Sequence, residues 1–203
     1  MRKYLDRSMT FEEYIDLIDR LLEEGKTTGP NQSEAMVGYG KLNRQRMRRL
    51  NKTVVLNESM IRKARAFDRK MIWLILTEGW CGDAAQNIPV IEKIAANNPL
   101  IETRYILRDE NLELMDRFLT NNARSIPKLI ALDAAGNEVL GTWGPRPKEA
   151  MHYFYEMRDS GMEPALVKEN IQRWYLKNKE QSIQEEFEAL LDNWKRSGIR
   201  AAA

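Results

Sequence analysis

The 203-residue sequence has one cysteine, Cys81, and one histidine, His152. A single cysteine excludes any disulfide within the chain, and the absence of a cysteine framework fits a reducing compartment. His152 has no cysteine or histidine partner at ligand spacing, so no metal site is expected. Long apolar runs are missing as well. The longest, residues 71–76, is far too short to span a bilayer, and the opening Met1-Arg2-Lys3-Tyr4-Leu5-Asp6 has no apolar signal-peptide core. The expectation is a cytoplasmic protein with no membrane partner. Charge of one sign is also lacking: 32 basic and 30 acidic residues leave a net charge of +2, which gives the molecule no overall bias toward nucleic acid.

What is present is enough apolar material for a core, at 43% hydrophobic and 31% charged residues. Thr10 and Glu13 have capping-box spacing, and Tyr14, Ile15, Ile18, Leu21 and Leu22 recur at helical intervals up to Gly25. Residues 41–52 hold Lys41, Arg44, Arg46, Arg48, Arg49 and Lys52 with no acid, around a stripe of Leu42, Met47 and Leu50. This reads as a helix with a solvated basic flank, and the scarcity of interleaved aromatics argues against nucleic-acid binding. A third helix is predicted over residues 58–67.

The continuous run 71–76 predicts a strand buried on both faces, followed by a turn and a helix over 84–96. A second strand at 100–107, a short helix from Leu112, and two strands at 128–133 and 138–142 joined by a tight connection come next. A helix over 147–158 completes a mixed sheet flanked by helices. Beyond it, Ser182 and Glu185 have capping-box spacing, and Ile183, Phe187, Leu190, Leu191 and Trp194 share one helical face. The terminal Ala201-Ala202-Ala203 is the one low-complexity tract.

The segment Leu74-Ile75-Leu76-Thr77-Glu78-Gly79-Trp80-Cys81-Gly82-Asp83-Ala84 resembles the strand and active-site corner of the thioredoxin superfamily. Pro89, eight residues after Cys81, stands where that family kinks the following helix. Ser125-Ile126-Pro127-Lys128 resembles the loop that holds its cis-proline, and Gly144 resembles the glycine that approaches the same site. The resemblance, to a bacterial-type member with a W-C-G-D-A corner, spans roughly residues 54–158. It implies a thioredoxin-like α/β fold with extra helices at both termini: an N-terminal extension over 1–53, the thioredoxin-like domain over 54–160, and a C-terminal extension over 161–203 packing on the same core.

The resemblance makes Cys81 the candidate catalytic residue. At a helix N-terminus the free N–H groups and the dipole favour a thiolate, while Asp83 and Glu78 oppose it. Ala84 stands where the family has its second cysteine, and Ile75 where it has a buried acid, so dithiol chemistry within the chain is excluded. Two readings stay open. In one, Cys81 works as a monothiol redox or thiol-handling group, with glutathione or another small thiol as the resolving co-substrate and a thiol or disulfide protein as partner; no other cofactor is expected. In the other, the chain is a non-catalytic binding module or a dimerising interaction protein, and Cys81 is an inert corner residue. The candidate substrate-binding residues are Trp80, Gly82, Asp83, Ile126, Pro127, Trp143, Gly144 and Arg146. Arg146 is expected either to pair with a ligand carboxylate or to be a solvated surface group.

Overall fold

The computed structural model describes residues 1–197, and the alanine tract lies outside the described residues. The chain opens with a single turn, α1 (Arg2–Leu5), then α2 (Phe11–Glu23), α3 (Glu34–Thr53) and α4 (Glu58–Ala66). The Thr10 capping box forms in both directions: the Thr10 hydroxyl accepts from the Glu13 N–H, and the Glu13 carboxylate accepts from the Thr10 N–H. On α3 the buried stripe is Val37, Gly40, Asn43, Met47 and Leu50; it begins ahead of the stripe read from residues 41–52 and leaves out Leu42, which is exposed because Asn43 takes the inward position.

The centre of the molecule is β1 (Met71–Thr77), α5 (Gly82–Ala95), β2 (Ile101–Leu107), α6 (Leu112–Met115), β3 (Lys128–Asp133) and β4 (Val139–Trp143). The four strands form one sheet in the order β2-β1-β3-β4, with β1 parallel to β2 and both remaining pairs antiparallel. β1 is interior, and Trp73, Leu74, Ile75 and Leu76 are each fully buried. That explains its unbroken apolar run, because a strand covered on both faces has no polar side. This is the mixed sheet with flanking helices of a thioredoxin-like α/β fold.

Three helices follow: α7 (Lys148–Asp159), α8 (Pro164–Asn178) and α9 (Gln181–Ser197). Trp73 makes edge contacts with Phe187 and Trp194 of α9, at ring separations of 5.3 and 5.8 Å, so α9 seals one face of the sheet. One apolar core runs from Tyr4 to Trp194, and both terminal regions contribute to it. A smaller cluster of Met157, Val167, Ile171 and Tyr175 joins α7 to α8.

One local expectation is corrected, and the helical extension over 161–203 gains an element the sequence reading did not delimit. α9 begins at Gln181, ahead of Ser182, and Ser182 is not its cap: the Ser182 hydroxyl donates to Glu149 at 2.7 Å while its N–H donates to Asn178. Left-handed backbone at Lys179 and Glu180 brings α8 almost directly into α9, which removes the need for a separate cap. α8 was absent from the sequence reading, although Pro164 at its first turn and the four-residue spacing of Val167, Ile171 and Tyr175 mark it. Among the described residues no helix is long and apolar enough to cross a membrane.

The close approach of α9 to the sheet generates a prediction. A methyl group at Gly141 of β4 would collide with the indole of Trp194, which is 1% exposed and has nowhere to go. Gly141→Ala should therefore cost about 1–3 kcal/mol in urea unfolding; an unchanged midpoint would mean that α9 does not press on β4.

Candidate functional site

Cys81 caps α5. Its Sγ accepts from the Ala84 N–H at 3.4 Å, in place of the usual hydroxyl or carboxylate, and its thiol donates to the Ile126 carbonyl at 3.3 Å. The residue is 7% exposed. Burial, and then the neighbouring Asp83 carboxylate, push the thiol up to about 12, against the pull of the helix N–H groups and Arg146. The opposition between helix terminus and acid is thus decided for the neutral thiol, because desolvation adds to the acid's side.

The Ile126–Pro127 peptide bond is cis, and both residues are buried beneath Cys81. Gly144 sits at φ +104°, and a Cβ there would run into the Pro127 carbonyl, so only glycine allows this approach. The sequence-nominated Cys81, Ile126, Pro127 and Gly144 therefore do meet. Trp143 does not join them. It faces the opposite side of β4, donates from its indole to Glu186 at 2.7 Å and packs against Phe187. Side chains alternate along a strand, so Trp143 belongs to the face that α9 covers.

Arg146 is corrected on both expectations. It is neither solvated nor free for a ligand carboxylate: its Nη2 lies 2.7 Å from Asp83 Oδ2, with the two side chains 16% and 13% exposed. Tyr175 of α8 donates to Asp83 Oδ1 at 3.0 Å and accepts from Asn87 at 2.9 Å. The Arg146 guanidinium also lies 4.2 Å from the centre of the Phe154 ring. Asp83, placed by sequence among substrate-binding residues, thus binds three elements of its own chain together.

The added helices turn the corner into the floor of a cavity of about 820 Å³, lined by Trp80, Cys81, Gly82, Asp83 and Arg146 together with residues of α3, α7 and α8. Asn43 of α3 donates to the Trp80 carbonyl at 2.7 Å, and Arg46 Nη1 donates to Asn43 Oδ1 at 2.9 Å. Gln172 of α8 accepts from Gln86 of α5 at 2.7 Å. The sequence reading missed Asn43, Arg46 and Gln172. One signal was available: Asn43 interrupts an otherwise apolar stripe on α3, and a polar side chain buried there needs a partner.

Behind the corner, Glu78 is completely buried, with Oε1 accepting from the Asp109 N–H at 2.8 Å and Oε2 without a hydrogen-bond partner among the described residues. Burial raises its carboxyl to about 7, and the Asp109 charge adds to this. Asp109 in turn orients Arg108, whose guanidinium stacks 5.0 Å from the Trp80 ring centre. In the folded chain Glu78 keeps its proton up to about pH 7, whereas in the unfolded chain it loses it near about 4.3. Its contribution to stability is complete below the lower value and is lost as pH rises through the upper one. Glu78→Gln, which mimics the protonated acid, should match the parent in thermal unfolding at pH 4 and exceed it at pH 8. Equal melting temperatures at both pH values would show that Glu78 does not hold its proton in the fold.

Asp83→Ala removes the anion but leaves Arg146 buried. Loss of one partner of a buried pair costs about 3–5 kcal/mol, and hydrogen exchange should rise first in α8, which loses the Tyr175 anchor. Unchanged protection in α8 would assign its docking to the apolar cluster alone.

A family model described as thioredoxin matches residues 29–159, more than half of the chain. The match begins ahead of the 53/54 boundary read from the sequence, so α3 lies inside it. No curated protein matches the chain. Among solved structures, the chain is similar to the crystal structure of an HIV epitope-scaffold, at 16% identity and a TM-score of 0.53, covering 91% of this chain and 98% of that one. It is also similar to a protein of unknown function from Pseudomonas aeruginosa, at 18% identity and a TM-score of 0.48, covering 96% and 99%. The likeness to the scaffold is one of fold alone. The family match covers the sheet, the Cys81 corner and the Ile126–Pro127 loop, and the chain belongs to the thioredoxin family.

Proposed function

We propose that this chain is a binding protein built on the thioredoxin scaffold, in which the cavity above the Cys81 corner takes the ligand and Cys81 is a structural cap. The observation that carries this reading is the state of the thiol. It is buried, satisfied as donor to Ile126 and as acceptor from Ala84, and pushed up to about 12, so almost no thiolate exists at neutral pH. The missing second cysteine at Ala84 and the missing acid at Ile75 agree with a corner that has left dithiol chemistry. Trp80 and Gly82 would contact the ligand, and Asp83 and Arg146 would shape its chamber. The same reading keeps the chain in the cytoplasm, where a lone cysteine stays reduced.

One observation favours a second reading, monothiol redox work at a bacterial-type W-C-G-D-A corner. Cys81 lines the open cavity, so a small thiol has a path to the sulfur. In that cycle the Cys81 thiolate attacks a disulfide, releasing one sulfur as a thiol. Glutathione or a similar thiol then attacks the mixed disulfide to free Cys81, while Ile126, Pro127 and Gly144 hold an extended thiol or disulfide partner.

Iodoacetamide alkylation of Cys81 against pH separates the two, because only the thiolate reacts. The binding reading expects a midpoint well above the free-thiol value of about 8.5, or labelling only after denaturation. It also expects no mixed disulfide by intact mass after incubation with glutathione disulfide. A midpoint below about 7.5 with a stable glutathione adduct would put the redox reading in its place.

A further inference from the structure

We infer that the cavity above Cys81 takes an amphipathic carboxylate, a small molecule with one anionic head that pairs with Arg46 and an apolar body that lies along the aromatic wall. This rests on the reading of the cavity as a ligand site and adds the chemistry of the ligand.

The walls set the body. Met36, Tyr39 and Leu42 of α3 face the cavity together with Trp80 and Phe154. Tyr39 and Leu42 are 42% and 44% exposed, and with Met36 they place an apolar strip along the cavity side of α3, with the Lys168 ammonium 5.3 Å from the Tyr39 ring centre. A volume of about 820 Å³ suits a small organic molecule and is larger than a single inorganic ion requires.

The charges set the head. Of the acids that line the cavity, Asp83 is held by Arg146 and Tyr175, Glu169 by Arg173, and Glu163 is exposed at the start of α8. Of the cations that line the cavity, Arg146 is neutralised by Asp83 and Lys168 is exposed with its ammonium 5.3 Å over the Tyr39 ring, whereas Arg46 is partly buried and has no carboxylate within ion-pair distance among the described residues. It is half-buried, one N–H is spent on the neutral Asn43, and burial together with Arg49 holds it below its ordinary value. A guanidinium taken from water without a counter-ion gains more from an arriving carboxylate than a solvated one does, because part of the desolvation cost has already been met. Space for that head exists beside it. A Cβ at Gly82 would stand 3.3 Å from Gln172 Nε2, 3.8 Å from Arg46 Nη1 and 3.9 Å from Asn43 Oδ1, so the absent side chain leaves a recess bordered by two nitrogen donors and by the Asn43 oxygen that already accepts from Arg46.

The test compares 2-naphthoate with 2-naphthamide, which share a body and differ in charge, by NMR titration of the full chain. The parent should bind the carboxylate at least about tenfold more tightly than the amide. Arg46→Met should bring the two to parity, and the chemical-shift dispersion of the same spectra reports that the variant is folded. Arg46→Lys should keep the preference in part, and Gly82→Leu should weaken the carboxylate most, since its side chain fills the recess with Arg46 still in place. Equal affinities in the parent, or a preference that survives in Arg46→Met, would overturn the anionic head and leave the cavity as an apolar ligand site. Binding of neither probe would remove the ligand site itself.

Discussion

The Asp83 carboxylate joins three segments that are far apart in sequence. It sits in the first turn of α5 and receives Arg146 from the loop after β4 and Tyr175 from α8. Because the pair is largely removed from water, either partner left alone would carry an uncompensated charge in a low-dielectric setting. The corner, the loop and the added helix are therefore held as one unit, and the cavity exists only because α8 is tied down over the corner. The acid also sets the chemistry of Cys81, since its negative charge adds to desolvation in keeping the thiol neutral.

A thioredoxin-like corner usually concentrates effects that favour a thiolate, and here they are present but outweighed. The helix terminus and Arg146 act in one direction; burial and Asp83 act in the other and win. The sulfur is held between the Ile126 carbonyl and the Ala84 N–H, with the cavity on its remaining side. Asn43 of α3 holds the Trp80 backbone, and Gln172 of α8 holds α5 through Gln86, so these two helices wall the chamber beside the corner.

Much of the architecture was legible because local patterns and global packing agree. The apolar run of β1, the Thr10 capping box and the face shared by Phe187 and Trp194 each carry a periodicity that burial then satisfies. The failures have physical causes. α8 has a weak amphipathic signal, since its inner face packs on α7 and on the polar groups of the corner as much as on the core. Ser182 offered a capping box, yet a left-handed turn upstream supplied another way into the helix. Trp143 was placed at the site by its nearness to Gly144 in sequence, but strand alternation sends neighbours to opposite faces.

The sequence by itself determined the core strand, the order of elements from α2 to α7, the loss of the second cysteine and the glycine that must pass Pro127, because each depends on the residue's own side chain or on short-range periodicity. The tertiary structure alone decided that Arg146 would meet Asp83, that Arg46 would face a cavity without a counter-ion, and that Cys81 would be a cap. Those outcomes depend on desolvation and on polar partners brought together across 37 to 92 residues of chain, and neither can be read from spacing.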